Sequence, residues 1–209
     1  MKRVHVCGAH STGKTTMIDH CKKYVKAKGK NVLYSEEIAR NVLTENKITA
    51  NDQKDINVFK RLNCLILERQ CAREIQMKAL SDENNCLCIY DRGILDPICY
   101  LHLYVGAEAA EDALSKSSIL KWAHDLTNAE KVLVFVMKPS PNCLCNDDVR
   151  IDTKNFEEIV RYDTFMKKFF SEMKINFRYI EKEDIVERVK FVVDATLEVW
   201  PDLPIKIEL

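Results

Sequence analysis

The stretch RVHVCGAHSTGKTT, Arg3 to Thr16, decides the architecture. An apolar run of strand length ends at Cys7, and Gly8 and Gly13 then stand five positions apart, followed by Lys14 and Thr15. This is the pattern G-x-x-x-x-G-K-[ST] in the strand–loop–helix setting that gives it meaning. The glycines let the backbone wrap so that successive N–H groups point inward, and the following helix adds its positive N-terminal end. Together they make a cradle for a chain of phosphates. Lys14 is placed to bridge β- and γ-phosphates, Thr15 to offer its hydroxyl to Mg²⁺, and Thr16 to reach the α-phosphate. The implied ligand is a magnesium-bound nucleoside triphosphate, ATP or GTP, held by Gly8, His10, Ser11, Thr12, Gly13, Lys14, Thr15 and Thr16; His10 is expected to contribute through its backbone position.

Outward from this loop, short apolar strands are predicted at 3–7, 31–35, 86–90, 131–137 and 177–180, each separated from the next by a helix-length segment. That alternation favours a parallel sheet covered on both faces: an α/β chain, three layers deep, with a doubly wound five-stranded parallel sheet of the P-loop NTPase kind. Helices are predicted at 14–28, 52–80, 152–173 and 184–200. The first is expected to stop before Gly29, and the last carries Ile185, Val189, Val192, Val193 and Leu197 on one face. No Pro/Gly/Ser-rich linker marks a boundary, so residues 1–209 read as one nucleotide-binding domain with a lid-like loop around 139–153.

The chain has 209 residues, 46 % of them apolar and 31 % charged, the composition of one globular domain with a substantial core. Its 32 Lys and Arg are balanced by 32 Asp and Glu, so no overall field would hold nucleic acid, and no nucleic-acid partner is expected. The longest apolar run, 132–137, is far short of a membrane span, and Lys2 and Arg3 are not followed by a signal-peptide core. A cytoplasmic or similarly reducing location is expected. The nine cysteines lie mostly in apolar runs and read as free thiols rather than a disulfide framework.

Three further elements carry chemistry. The predicted strand at 86–90 ends in Asp91-Arg92-Gly93. Asp91 stands where a carboxylate holds Mg²⁺ beside the phosphate loop, and Arg92 where a guanidinium enters the crevice at the carboxyl edge of the sheet. Glu37 and Arg40 follow the second predicted strand. Glu37 is placed to accept a proton from an acceptor hydroxyl and Arg40 to pair with the acceptor or with Glu37, although Ser35-Glu36-Glu37 is also a good helix start. The polar loop Asn146-Asp147-Asp148-Val149-Arg150 would bring Arg150 over the phosphates to offset charge and exclude water. A guanine-reading Asn-Lys-x-Asp element is absent, because Asn46-Lys47-Ile48 is followed by Thr49. An AAA motor is disfavoured as well, since no helical second domain and no acidic pair after Asp91 can be read.

The string Gly8–Thr16, the Glu37-x-x-Arg40 element, the segment from Asp91 to Asp96 with Tyr100 behind it, and the loop with Arg150 resemble, in order and interval, a group of small AAA-domain P-loop proteins. That group is related to the ribosylnicotinamide kinase domain of the bacterial bifunctional NAD-biosynthesis regulator. The resemblance runs over about residues 1–198. It implies a nucleoside/nucleotide-kinase-like fold, with ATP or GTP and Mg²⁺ at the phosphate loop and an acceptor pocket near Glu37, Arg40 and Arg92. The Asp91-Arg92-Gly93 strand end departs from the Asp-Thr-Asp of that kinase toward the Asp-Arg of thymidylate-kinase-like enzymes. The expected activity is ATP-dependent phosphoryl transfer to a small acceptor, a nucleoside or nucleotide, by Lys14, Glu37, Asp91, Arg92 and Arg150, with Thr15 and Asp91 on the metal. The alternative is a regulatory protein that binds ATP or GTP without turnover or hydrolyses it slowly.

Overall fold

The computed structural model describes residues 2–27, 32–84, 86–143, 155–203 and 205–207. Five parallel strands, β1 (Lys2–Cys7), β3 (Val32–Ser35), β4 (Leu87–Asp91), β5 (Val132–Met137) and β6 (Phe177–Ile180), form one sheet in the order β3-β4-β1-β5-β6. The strand carrying the phosphate loop is therefore central, with the Glu37 and Asp91 corners on one side of it and the ends of β5 and β6 on the other. β4 and β5 are buried along their whole length, whereas β3 and β6, at the edges, are buried only at their last residue.

Side chains alternate across β1, so its residues divide between two cores. Val4 and Val6 meet α1 (Lys14–Tyr24) and α8 (Ile185–Val199) through Met17, Ile18, Cys21, Val189, Val192 and Val193. Cys7, with Val132, Val134 and Val136, faces the opposite layer, where α3 (Ile56–Asn84), α4 (Leu95–Tyr104), α6 (Ser117–Asp125) and α7 (Phe156–Glu172) pack. The two remaining helices are α2 (Ile38–Glu45) after β3 and α5 (Ala107–Ser115) after α4. Side-chain caps fix where α7 and α8 begin: Asn155 accepts from the N–H of Glu157 and Glu158, and Asp184 from those of Val186 and Glu187. Each cap contributes on the order of 1 kcal/mol and sets the direction of the helix that follows.

The three-layer architecture matches the expectation from sequence, and two local readings are corrected. The helix after the phosphate loop ends at Tyr24 instead of continuing to residue 28, because Val25–Ala27 leave the helix as β2. β2 pairs antiparallel with β7 (Ile205–Ile207), a small second sheet joining the first helix to the C-terminal segment. The start of the second helix also differs. Ser35 ends β3, and Glu37, next to Ile38, makes no capping hydrogen bond because its carboxylate is turned to Arg92. The cysteines among the described residues are free. No helix among them is long and apolar enough to cross a membrane.

Candidate functional site

The loop between β1 and α1 folds as a nest. Gly8 (φ +137°) and Gly13 (φ +84°) take backbone conformations closed to most side chains, and Ser11 (φ +54°) is left-handed as well. A Cβ on Gly8 would stand 3.1 Å from the Met137 carbonyl oxygen at the end of β5, and one on Gly13 would stand 2.9 Å from Arg188 Nη1. The loop is braced from within, since Thr12 Oγ1 donates to the Ala9 carbonyl at 3.0 Å. Lys14 is folded into the nest, its ammonium donating to the Ala9 carbonyl and, at 3.2 Å, to Thr12 Oγ1. Burial pushes that ammonium down to about 7, with the nearby Arg92 guanidinium acting in the same direction. An arriving phosphate anion would restore the charge.

Asp91, the last residue of β4, receives a hydrogen bond from Thr15 Oγ1 to its Oδ2 at 2.6 Å. Its Oδ1 is buried without a hydrogen-bond partner, and burial pushes the carboxyl upward against the pull of Lys14 and Arg92. A buried carboxylate oxygen with spare capacity beside a threonine hydroxyl is an oxygen donor set that suits Mg²⁺. The residues therefore fit the metal that the motif implies.

Arg92 follows at once and turns the chain with φ +71°, a left-handed conformation costing about 1–2 kcal/mol for a residue with a Cβ. The hydrogen bonds of this corner hold it there. Its backbone N–H donates to Val6, Nη1 donates to the Gly8 carbonyl at 2.8 Å and to Asp96 Oδ1 at 2.7 Å, and Nε donates to Glu37 Oε1 at 3.1 Å. Arg40, more than half exposed, lies 4.0 Å from the other Glu37 oxygen. Gly93 is required beneath, because a Cβ there would come within 2.7 Å of His5 Nδ1. One guanidinium thus ties the acid after β3, the phosphate loop and the first turn of α4 into a single unit.

Two cavities adjoin this unit. The larger is a cleft along Ser11–Thr16, bounded by Asp91 and Arg92 on one side and by Asn142, Cys143, Glu183, Ile185 and Arg188 on the other. The smaller, mostly apolar, is walled by Leu43, Phe59, Leu62, Ile66, Pro97 and Tyr100, with Gln53 and Asn63 as polar points. Glu37, Arg40 and Arg92 line both. The His10 side chain turns away from the phosphate loop's own cleft, and its ring lines the smaller cavity with Nδ1 3.4 Å from Tyr100 OH.

The structure thus brings Lys14, Thr15, Glu37, Arg40, Asp91 and Arg92 to one place, with Thr16 along the cleft wall. Arg150 and most of the lid-like loop lie outside the described residues. Sequence reasoning overlooked Asn63 and Arg188. Each is a polar residue on the buried stripe of its helix, Asn63 among Phe59, Leu62 and Ile66, and Arg188 among Ile185, Val189 and Val192. A polar residue that breaks an apolar helical stripe is the signal that marks both.

This fold and this loop define a P-loop fold, three-layered around a parallel five-stranded sheet. The model of a family described as an AAA domain matches residues 3–188, and the chain belongs to that family. Among solved structures, the NadR protein in complex with NR superposes with a TM-score of 0.71 at 20 % identity, over 100 % of this chain and 53 % of that one. The NadR protein in complex with NAD and AMP-PNP gives 0.70 at 20 % identity, over 100 % and 51 %. The chain spans about half the length of these NadR chains. Deoxyadenosine kinase from M. mycoides, with products dcmp and a flexible dcdp bound, gives 0.55 at 12 % identity, over 94 % and 99 %. At these identities the likeness is one of fold. No curated protein matches the chain.

Proposed function

We propose that the chain is a phosphotransferase that moves a phosphoryl group from ATP or GTP to a small hydroxyl-bearing acceptor of nucleoside or nucleotide size. The observation that carries this reading is the meeting of two cavities at one carboxylate–guanidinium pair. The phosphate-loop cleft and the apolar cavity share Glu37 and Arg92, the arrangement required if donor and acceptor are to meet in line. The structures that share the fold support the size of the acceptor, being described with NR, with NAD and AMP-PNP, and with dcmp and dcdp.

In this reading the loop amides and Lys14 bind the phosphates of the donor. Thr15 and Asp91 hold Mg²⁺, which when bound neutralises phosphate charge. Glu37 orients the acceptor hydroxyl and takes its proton, its carboxylate aimed by Arg92 Nε. Arg92, anchored by Gly8 and Asp96, offsets negative charge that builds between the cavities. Phe59 and Tyr100 exclude water from the acceptor side, where Asn63 and Gln53 present polar groups.

A panel of nucleosides and nucleotides supplied with magnesium and ATP or GTP, read by diphosphate release, tests the proposal. At least one acceptor is expected to raise release well above the water background. Tight triphosphate binding with no acceptor-dependent release would replace the kinase with a regulatory nucleotide-binding protein.

A further inference from the structure

Arg188 is 3 % exposed, and its side chain reaches from the first turns of α8 to the phosphate loop. Nε donates to the Lys182 carbonyl at 2.6 Å and Nη1 to the Thr12 carbonyl at 3.2 Å, with Cys143 Sγ 3.9 Å from Nη1. Nη2 makes no hydrogen bond among the described residues, and the residue lines the large cleft. A buried guanidinium with two of its nitrogens donating to carbonyls and the third left over, on a residue that lines an anion-binding cleft, is built to meet a ligand.

The sheet order says which part of the ligand it meets. Glu37 follows β3 and Asp91 ends β4, on one side of the central β1; Asn142 and Cys143 follow β5, and Glu183 and Arg188 follow β6, on the other. With the acceptor cavity on the β3–β4 side, the terminal phosphate points that way, and the nucleoside end of the donor extends over β5 and β6. We propose that Arg188 is a donor-binding residue that recognises the nucleoside half of the triphosphate, from the α-phosphate outward, as distinct from Lys14 at the β- and γ-phosphates. The inference rests on the donor site proposed above and adds the residue that separates a nucleotide from a bare polyphosphate. Gly13 serves this contact as well, since any side chain there would displace the guanidinium.

The test is calorimetric titration of the wild type, Arg188→Gln and Arg188→Lys with magnesium ATP and, separately, with magnesium and inorganic tripolyphosphate, each variant first checked by thermal melt. Expected is a loss of about tenfold or more in ATP affinity for Arg188→Gln, the worth of one charge-assisted hydrogen bond, with tripolyphosphate affinity changed by less than about twofold. Arg188→Lys, which keeps the charge and loses the fork, should fall between, and it decides the matter alone if Arg188→Gln does not fold. Unchanged ATP affinity would overturn the role of Arg188 and leave the donor site standing. Equal losses for both ligands would reduce it to a brace for the loop. A wild type that binds neither ligand would overturn the donor site itself, and this inference with it.

Discussion

Arg92 Nε donates to Glu37 Oε1 at 3.1 Å, so two residues 55 positions apart, at the ends of neighbouring strands, act as one charged unit between the two cavities. If Glu37 is the proton acceptor, Glu37→Gln keeps the shape and loses the base. Phosphoryl transfer to the acceptor found in the panel should fall by about 10²–10⁴-fold. Triphosphate affinity should stay within about twofold, since the charge-bearing loop is untouched. An unchanged turnover rate removes Glu37 from the chemistry.

Asp91 and Thr15 form the candidate magnesium seat, and their 2.6 Å contact places a carboxylate and a hydroxyl on one point. Asp91→Asn should leave triphosphate binding without metal nearly intact and abolish most of the strengthening that magnesium brings, a loss of about 10–100-fold in its presence. Titrations with and without magnesium read this directly, and equal magnesium strengthening in both proteins would contradict the assignment.

Gly13 has φ +84° and Arg188 Nη1 2.9 Å from where its Cβ would be. Gly13→Ala should therefore cost about 1–2 kcal/mol of folding stability in denaturant titration, from backbone strain alone. It should also weaken triphosphate binding, because the guanidinium and the loop cannot both keep their places. A variant as stable and as tight as the wild type would show that the loop is not held in this conformation.

Glu74, on α3, is wholly buried, and burial pushes its carboxyl up to about 7. It lies 3.9 Å from Arg3 and 3.5 Å from Gln70, with Asp125 beyond Arg3. A folded-state value raised above the ordinary 4.5 means that the native protein holds the extra proton. The resulting stabilisation is present at low pH and is lost as pH rises through about 7. His5 works in the opposite sense, since burial holds it down to about 3 from 6.5, so the wild type's two slopes oppose each other between 4.5 and 6.5. Comparison with Glu74→Gln isolates the first: the variant should gain on the wild type by on the order of 3 kcal/mol between pH 4.5 and 8, measured by denaturant unfolding. A difference independent of pH would show that Glu74 does not titrate in this range.

What the sequence made legible was local. Gly8 to Thr16 announces its own backbone, because only a phosphate nest needs glycine, lysine and hydroxyl at that spacing, and Asp91 and Glu37 stand at strand ends, where crevice acids belong. The pairing of Glu37 with Arg92 was beyond reach, since it depends on β3 and β4 being neighbours in the sheet. Val25–Ala27 continue an amphipathic pattern and so read as helix, but their partner strand is some 180 residues away, and non-local pairing leaves no periodic trace. The direction of the His10 ring is likewise a product of the turn geometry, with Tyr100 waiting on the other side. Arg188 was visible only as a charge interrupting the apolar stripe of α8.

If the nest around Lys14 grips a nucleoside triphosphate, calorimetric titration of magnesium ATP and GTP into the wild type and Lys14→Ala will show it. The wild type should bind at least one of the two in the micromolar range, and Lys14→Ala should bind it about 100-fold more weakly while melting no earlier, since the ammonium removed is one that burial already disfavours. No binding heat with either nucleotide in the wild type, or equal affinity in the variant, would contradict the claim.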